Sequence, residues 1–440
     1  MSSEALATEH AGSDANRLRA SDSAGHDWYR FVLSFPPHLV RDYLERFGVD
    51  GRQRVLDPFC GTGTTLVECK KLGIGSAGIE ANPMAHFATS VKVDWTPEPD
   101  ALLSHAEAVA DRTIVRLRAE GIEDAFFFSP PRTTRPELVS LPPEKARLLL
   151  KNSISPLPLH KTLRLLEEID RDMAAGFRRH ERLALAKALV SSISNLHFGP
   201  EVGVRAPKDD AAVVAAWLEC VQAVAQDLRA LRLLDGAEAV VHRGDSRRAE
   251  AALEPRSIDA VVTSPPYPNE KDYTRTTRLE SVLLGMIRDR SELRALKQGF
   301  MRSNTRNVYV DDDDDRWVAD NAEVQRIAEA IEARRIELGK TSGFERTYHR
   351  AAKLYFGGMA RHLAGLRGVL CPGAHLAYVV GDQASYLRVM IRTGQILAGI
   401  AASLGYEVVG IDLFRTRMAT ATREQLREEV LVLRWPGTME

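Results

Sequence analysis

Apolar residues follow two rhythms along this chain. Short runs rich in β-branched residues stand at 54–57, 75–80, 239–242, 258–262, 373–382, 406–414 and 428–435, and each predicts a strand. Between most of them apolar positions recur at helical spacing. This predicts helices over 39–47, 66–72, 100–118, 144–150, 161–173, 181–197, 211–234, 279–286, 322–338, 348–366 and 391–404. Gly48 and Gly405 stand where two of these helices must stop. Strands alternating with helices predict an α/β fold, with ligands gathered at the carboxyl ends of the strands.

The spacing between strands is uneven, and this sets the expected domain plan. The interval 94–236 is too long for one crossover, so it predicts an inserted, mainly helical module and a candidate target-recognition region. Residues 26–93 then form the first half of a catalytic domain and 237–440 the second, with a further insertion around 287–345. Residues 126–131 (Phe-Phe-Phe-Ser-Pro-Pro) read as a break. Residues 1–25, rich in Ala, Ser, Asp and Glu without a signal peptide's apolar core, predict a disordered cytoplasmic tail; order is expected from near Trp28-Tyr29-Arg30-Phe31.

Composition narrows the partners. A chain of 440 residues can bury a large core, and its net charge of −1 supplies no global basic field for nucleic acid. Positive charge is local. Residues 131–190 hold twelve Lys and Arg against seven Asp and Glu, and 271–310 hold nine against four. Both are candidates for phosphate contact, with solvated helix faces as the plain alternative. Four cysteines (Cys60, Cys69, Cys220, Cys371), none in a CxxC pair, point to a reduced compartment and away from zinc. No apolar run reaches membrane-spanning length. The five aspartates at 311–315 lack calcium-loop spacing and read as a solvated loop or helix start.

Two strand ends carry the chemistry. The first is Asp57-Pro58-Phe59-Cys60-Gly61-Thr62-Gly63-Thr64-Thr65, a strand, glycine loop and helix start. Gly61 and Gly63 allow backbone conformations closed to other residues and let the chain approach a ligand. The loop lacks the Lys-Ser/Thr of a P-loop, so a nucleoside triphosphate is not expected. About twenty residues on, Glu80 is placed to accept hydrogen bonds from ribose hydroxyls, followed by Ala81 and Asn82. The second is Thr263-Ser264-Pro265-Pro266-Tyr267, where two prolines that cannot join a ladder must end the strand.

Together these stretches resemble the S-adenosylmethionine-dependent DNA amino-methyltransferases, the cytosine-N4 and adenine-N6 enzymes, of the Ser-Pro-Pro-Tyr type. The resemblance implies a Rossmann-like class I methyltransferase fold with a seven-stranded mixed sheet, last strand antiparallel, and S-adenosyl-L-methionine as cofactor. It assigns residues 57–65, Glu80, Ala81, Asn82 and Thr263 to the cofactor, with Asp57 facing the donor's ammonium group. It gives Asp245 and Ser246 to the adenine and Phe35 to the methionine end, although Phe35 reads equally well as core. Ser264, Pro265, Pro266 and Tyr267 become the catalytic tetrapeptide. The glycine loop precedes it, so the order is not the permuted one found in part of the family. No metal is implied.

The mechanism implied is direct transfer to an exocyclic amino group, its hydrogens held by the Ser264 hydroxyl and the Pro265 carbonyl, with Tyr267 stacked on an extruded base. Lys271, Tyr273, Arg275, Arg278, Arg302 and Arg306 lie in the basic segment after the tetrapeptide and are the candidate nucleic-acid contacts. A leading serine is closer to the cytosine-N4 enzymes. Adenine-N6 transfer, RNA guanine-N2 transfer and a non-catalytic nucleic-acid binder remain alternatives. The expected partners are double-stranded DNA and cognate restriction or defence proteins, for a cytoplasmic monomer or homodimer with no membrane contact.

Overall fold

A computed structural model describes residues 18–30, 34–124, 137–172, 176–198, 202–234, 236–268, 272–418 and 425–437. Residues 1–17 of the expected tail, Phe31, the break at 126–131, Met173 and Lys271 lie outside them. Seven strands form the main sheet: β1 (Arg54–Asp57), β2 (Gly75–Glu80), β3 (Ala239–Arg243), β4 (Ile258–Thr263), β5 (Leu370–Gly381), β6 (Glu407–Met418) and β7 (Gln425–Arg434). Their order is β3-β2-β1-β4-β5-β7-β6. The first five are parallel, and β7 runs antiparallel to both β5 and β6. This is the expected Rossmann-like architecture, mixed sheet included. The chain builds outwards from β1 through β2 to β3 and then returns to the other side of β1 as β4, so the β1–β4 crevice is the topological switch point.

The strands are apolar on both faces because helices cover both, as a parallel sheet requires. Leu56 and Val261 face the helix Tyr348–Leu366, while Val55, Ala260 and Val262 face the helix Pro37–Arg46. The insertion packs four longer helices, Pro99–Ala119, Pro156–Arg171, Arg178–Ala188 and Val213–Leu231, into a single core with Trp28, Tyr29 and the helix Pro83–Lys92. Trp217 is fully buried there, and its indole N–H donates to the Glu181 carbonyl at 2.9 Å.

Several local expectations are corrected. Residues 18–25 are pinned and not loose: Asp22 pairs with Arg41 at 3.1 Å, and the Gly25 N–H donates to Asp227 at 3.0 Å. The expected helix 181–197 ends as Arg178–Ala188, relaxes into a π turn at Leu189–Ile193, and gives way to a hairpin of Leu196–Phe198 with Val202–Val204. Ser191 donates back to the Lys187 carbonyl at 2.9 Å, the kind of side-chain bond that loosens a helix. The expected helix 144–150 shrinks to Pro143–Ala146 and continues only as tight turns, with the Leu148 and Leu149 N–H groups donating to the Lys145 and Ala146 carbonyls at 3.0 and 3.2 Å. A further helix, Arg290–Gly299, capped by Asp289, was not among the expected ones; its short apolar stripe, Leu293 and Leu296, packs against Leu148 and Ile287.

The charge runs are also internal devices. Arg164 pairs with Glu120 (2.7 Å), and Arg178 and Arg182 both hold Asp170 (2.7 and 2.6 Å), so much of the positive charge in 131–190 is tied within the insertion. The aspartate run is not simply solvated. Asp312 takes a two-point bond from Arg302 (2.7 and 2.8 Å), and buried Asp314 accepts from Arg247 and Arg361. A Cβ at Gly357 would lie 1.9 Å from the Asp314 carbonyl oxygen. Gly357→Ala is therefore expected to destabilise the fold by about 1–3 kcal/mol or more. Gly399→Ala, in an exposed helical position with nothing nearby, should gain about 0.5–1 kcal/mol. Urea midpoints moving in opposite directions at constant slope would show both.

Candidate active site

A cavity of about 600 Å³ opens over the carboxyl ends of β1, β2, β3, β4 and β5 and reaches across to β6 and β7. One end is built mostly by backbone. Gly61 and Gly63 take φ of 51° and 84°, which only glycine adopts readily, and a Cβ on Gly63 would sit 2.7 Å from the Thr89 methyl. Thr89 donates to the Gly61 carbonyl at 2.7 Å. Beneath the loop, Lys92 is buried and donates to the carbonyls of Thr62 (2.7 Å) and Tyr29 (3.2 Å), with burial pushing its pKa down to about 7. Sequence reading missed Lys92, since a lysine in an amphipathic helix gives no sign of what it reaches.

Three carboxylates surround this end. Glu80 accepts the N–H of Gly61 and of Asn82, both at 2.7 Å, and burial raises its pKa to about 7. Asn82 in turn caps its helix through the N–H groups of Met84 and Ala85. Asp245 lines the cavity beside Ser246. Burial would raise its pKa, but the Arg247 guanidinium, bonded to both oxygens at 2.8–3.0 Å, holds it below the usual carboxylate range. Ser246 is fixed through its carbonyl by His362 (2.9 Å), whose other nitrogen meets the Tyr378 hydroxyl (2.8 Å). Asp57 lies beneath the cavity, fully buried, accepting from Thr263 (2.6 Å) and the Phe59 N–H (3.1 Å); burial pushes it up to about 6. Thr65 makes a second crossing, donating to the Val262 carbonyl at 3.0 Å.

At the other end stands the tetrapeptide. The Ser264 hydroxyl donates to the Val379 carbonyl of β5 at 3.1 Å. The Tyr267 ring lies against Gly381, where a Cβ would come within 2.8 Å of Cε2. Of the predicted cofactor and catalytic residues, Phe35, Pro58, Phe59, Cys60, Gly61, Thr62, Thr64, Glu80, Ala81, Asn82, Asp245, Ser246, Ser264, Pro265, Pro266 and Tyr267 line the cavity. Asp57, Gly63, Thr65 and Thr263 are not in its lining and act from below. Sequence reading missed Met301, Asn304 and Asn307 from the second insertion, and Gln383, Phe414, Arg415, Arg417 and Glu428 from the far strands. None sits in a motif.

The nucleic-acid candidates divide. Tyr273 lines the cavity and Arg306 is exposed. Arg302, 4% exposed, is spent on Asp312 and the carbonyls of Lys297, Gln298 and Phe300, which corrects its assignment as a surface contact. Arg278 braces the Thr274 and Leu148 carbonyls, and Arg275 turns to the Val202 carbonyl at 3.5 Å. These side chains hold the insertion to the segment after the tetrapeptide.

A DNA methylase family model matches residues 13–89. The chain is 26% identical to Type II methyltransferase M.BsoBI of Geobacillus stearothermophilus over 64% of its own length and 56% of that protein's. To Type II methyltransferase M.AvaI of Nostoc sp. it is 24% identical, over 98% and 90% of the two chains. By these matches the chain is similar to the amino-methyltransferase family. The methyl donor of this family is S-adenosyl-L-methionine. The cavity fits it: the volume is that of a small-molecule site, backbone replaces side chain along the glycine loop, and carboxylates stand at Glu80 and Asp245.

The Thr263 bond to Asp57 is the tightest link between the two motifs. Thr263→Val keeps the shape and removes the donor, which should cost about 1–3 kcal/mol in urea unfolding. The raised pKa of Asp57 fixes the pH dependence. The loss should be larger at pH 8, where the buried carboxyl is ionised, than at pH 5, where it carries a proton. Equal losses at the two pH values would remove Asp57 as the partner that matters.

Proposed function

We propose that this methyltransferase modifies the exocyclic amino nitrogen of a base extruded from duplex DNA, cytosine N4 foremost, in a restriction-modification or defence setting. The state of Ser264 carries the reading. Its hydroxyl proton is engaged by Val379, so towards the cavity the oxygen can only accept. A base amino group offers two donors and a lone pair delocalised into the ring. With its hydrogens taken by Ser264 Oγ and the Pro265 carbonyl, the nitrogen is drawn towards tetrahedral geometry and its lone pair is exposed. Bound S-adenosyl-L-methionine supplies an electrophilic methyl group. Tyr267, backed by Gly381, is the stacking platform for the base. The Type II names of the relatives support the setting.

In this reading Glu80 takes the ribose hydroxyls, Asp245 and Ser246 take the adenine, and Phe35 covers the methionine end; that all four line one cavity supports the assignment. The insertion 94–236 serves target recognition. Its support is position, since Arg182 grips the Leu284 carbonyl at 2.5 Å and so docks the insertion on the segment leaving the tetrapeptide.

Labelled methyl transfer to DNA and RNA, followed by mass spectrometry of the nucleosides, tests the function. The expected product is N4-methylcytosine in DNA; N6-methyladenine would move the target, and methylated RNA alone would overturn the substrate. Ser264→Ala should bind cofactor normally and transfer far more slowly, whereas Tyr267→Ala should weaken target binding by about 1–3 kcal/mol. Undiminished transfer by Ser264→Ala would remove the serine from the mechanism.

Glu80 gives a pH prediction. Its carboxyl titrates near 7 in the free protein, and hydrogen bonds donated by ribose favour the ionised form. Cofactor binding should therefore release a proton near neutral pH. Affinity should climb as pH rises towards 7 and level off above it. Calorimetry in buffers of different ionisation enthalpy reads the proton directly, and Glu80→Gln should abolish the release. Proton uptake, or none in the wild type at pH 6.5, would break the assignment.

A further inference from the structure

The cavity wall beside Tyr267 carries a charge that methyl transfer does not use. Arg415 and Arg417 stand two residues apart on β6, hence on one face of the strand, and both reach the cavity. On this wall β7 answers them with a single carboxylate, Glu428. Arg415 is the register partner of Glu428 and closes a two-point bond to it, Nε at 2.6 Å and Nη2 at 2.9 Å. Arg417 meets the same carboxylate only at 3.5 Å, and its side chain is 40% exposed. Among the described residues, one positive charge is left over on this wall.

Its position is specific. A methyl group at Gly381 would lie 2.8 Å from Tyr267 Cε2 and 3.5 Å from Glu428 Cγ, so the tyrosine ring and the carboxylate stem flank one α-carbon. The surplus guanidinium, 3.5 Å from that carboxylate, therefore lines the same cavity wall as the tyrosine. Cytosine and adenine are neutral and give it no ionic partner. The anion that accompanies every extruded base is its own backbone phosphate, whose oxygens match a guanidinium fork. Of the arginines first expected to meet DNA, Arg278 and Arg302 are meanwhile consumed inside the protein.

We propose that Arg417, held in place by Glu428 and Arg415, grips a backbone phosphate flanking the extruded nucleotide and so fixes the sugar-phosphate chain while Tyr267 holds the base. The proposal rests on the reading of duplex DNA as substrate. Exposed Ser385, on the same cavity wall, offers a hydroxyl to the same phosphate.

The test uses the full chain with cofactor and a duplex whose methylated position has been mapped. Binding is followed through a salt series for wild type, Arg417→Gln and Arg417→Lys, on the normal duplex and on duplexes with one neutral methylphosphonate at each position around the target. Wild type should lose affinity and about 0.9 unit of salt slope at one such position. Arg417→Gln should show that loss on the normal duplex and be indifferent to the replacement, while Arg417→Lys keeps the slope. Unchanged cofactor affinity in all three certifies the fold. If Arg417→Gln keeps wild-type sensitivity to every methylphosphonate, or shifts urea stability while leaving the salt slope intact, Arg417 is only a cross-strand brace and the proposal is overturned. Wild type that methylates no DNA overturns the substrate reading itself, and this inference with it.

Discussion

Two hydrogen bonds from threonines join the halves of the site. Thr263 reaches Asp57 across 206 residues of chain, and Thr65 reaches the Val262 carbonyl across 197. Both cross from the β1 side to β4 at the switch point, in a region closed to water. A carboxylate buried there is costly, its pKa pushed up to about 6 by burial, and it finds donors only when the glycine loop and β4 are both in place. The two motifs are thus mutually dependent. Whatever length of chain lies between them, it must leave and rejoin the sheet without disturbing this contact, which is why the insertions hang from the periphery.

The two ends of the cavity are made of different material. The glycine-loop end relies on backbone groups and on carboxylates whose oxygens are themselves held by N–H groups, so its shape is set by the dihedral angles of a few residues. The far end draws side chains from β5, β6 and β7 and from the second insertion. Its geometry depends on strand register. The first kind of construction tolerates little change of residue type, whereas the second can be re-equipped one side chain at a time.

This division explains what was legible in the sequence. Central parallel strands are covered on both faces and announce themselves as unbroken apolar runs, and glycine loops are visible because few other residues can replace glycine there. The central strands and the glycine loop were readable on those grounds, the outer strands as shorter β-branched runs, and the tetrapeptide by the two prolines that end its strand. Partnerships were not. Periodicity reports that a position is buried but not what it touches, so Lys92 under the loop and Arg247 between Asp245 and Asp314 gave no signal. Net charge misled for the same reason: Arg302 counted towards a basic patch, yet its charge is spent ten residues away on Asp312. The hairpin at 196–204 was hidden because an apolar run that short suits either a helix or a strand.

The placement of β7 between β5 and β6 has a temporal side. It emerges from the ribosome after both neighbours, at roughly 5–20 residues per second. Until it slots in, the edge of β5 waits unpaired and β6 has no place in the sheet. A nascent chain can therefore assemble the glycine-loop end, with its carboxylates, before the wall bearing Glu428 exists. Synthesis makes the glycine-loop end first and the strand-built wall last.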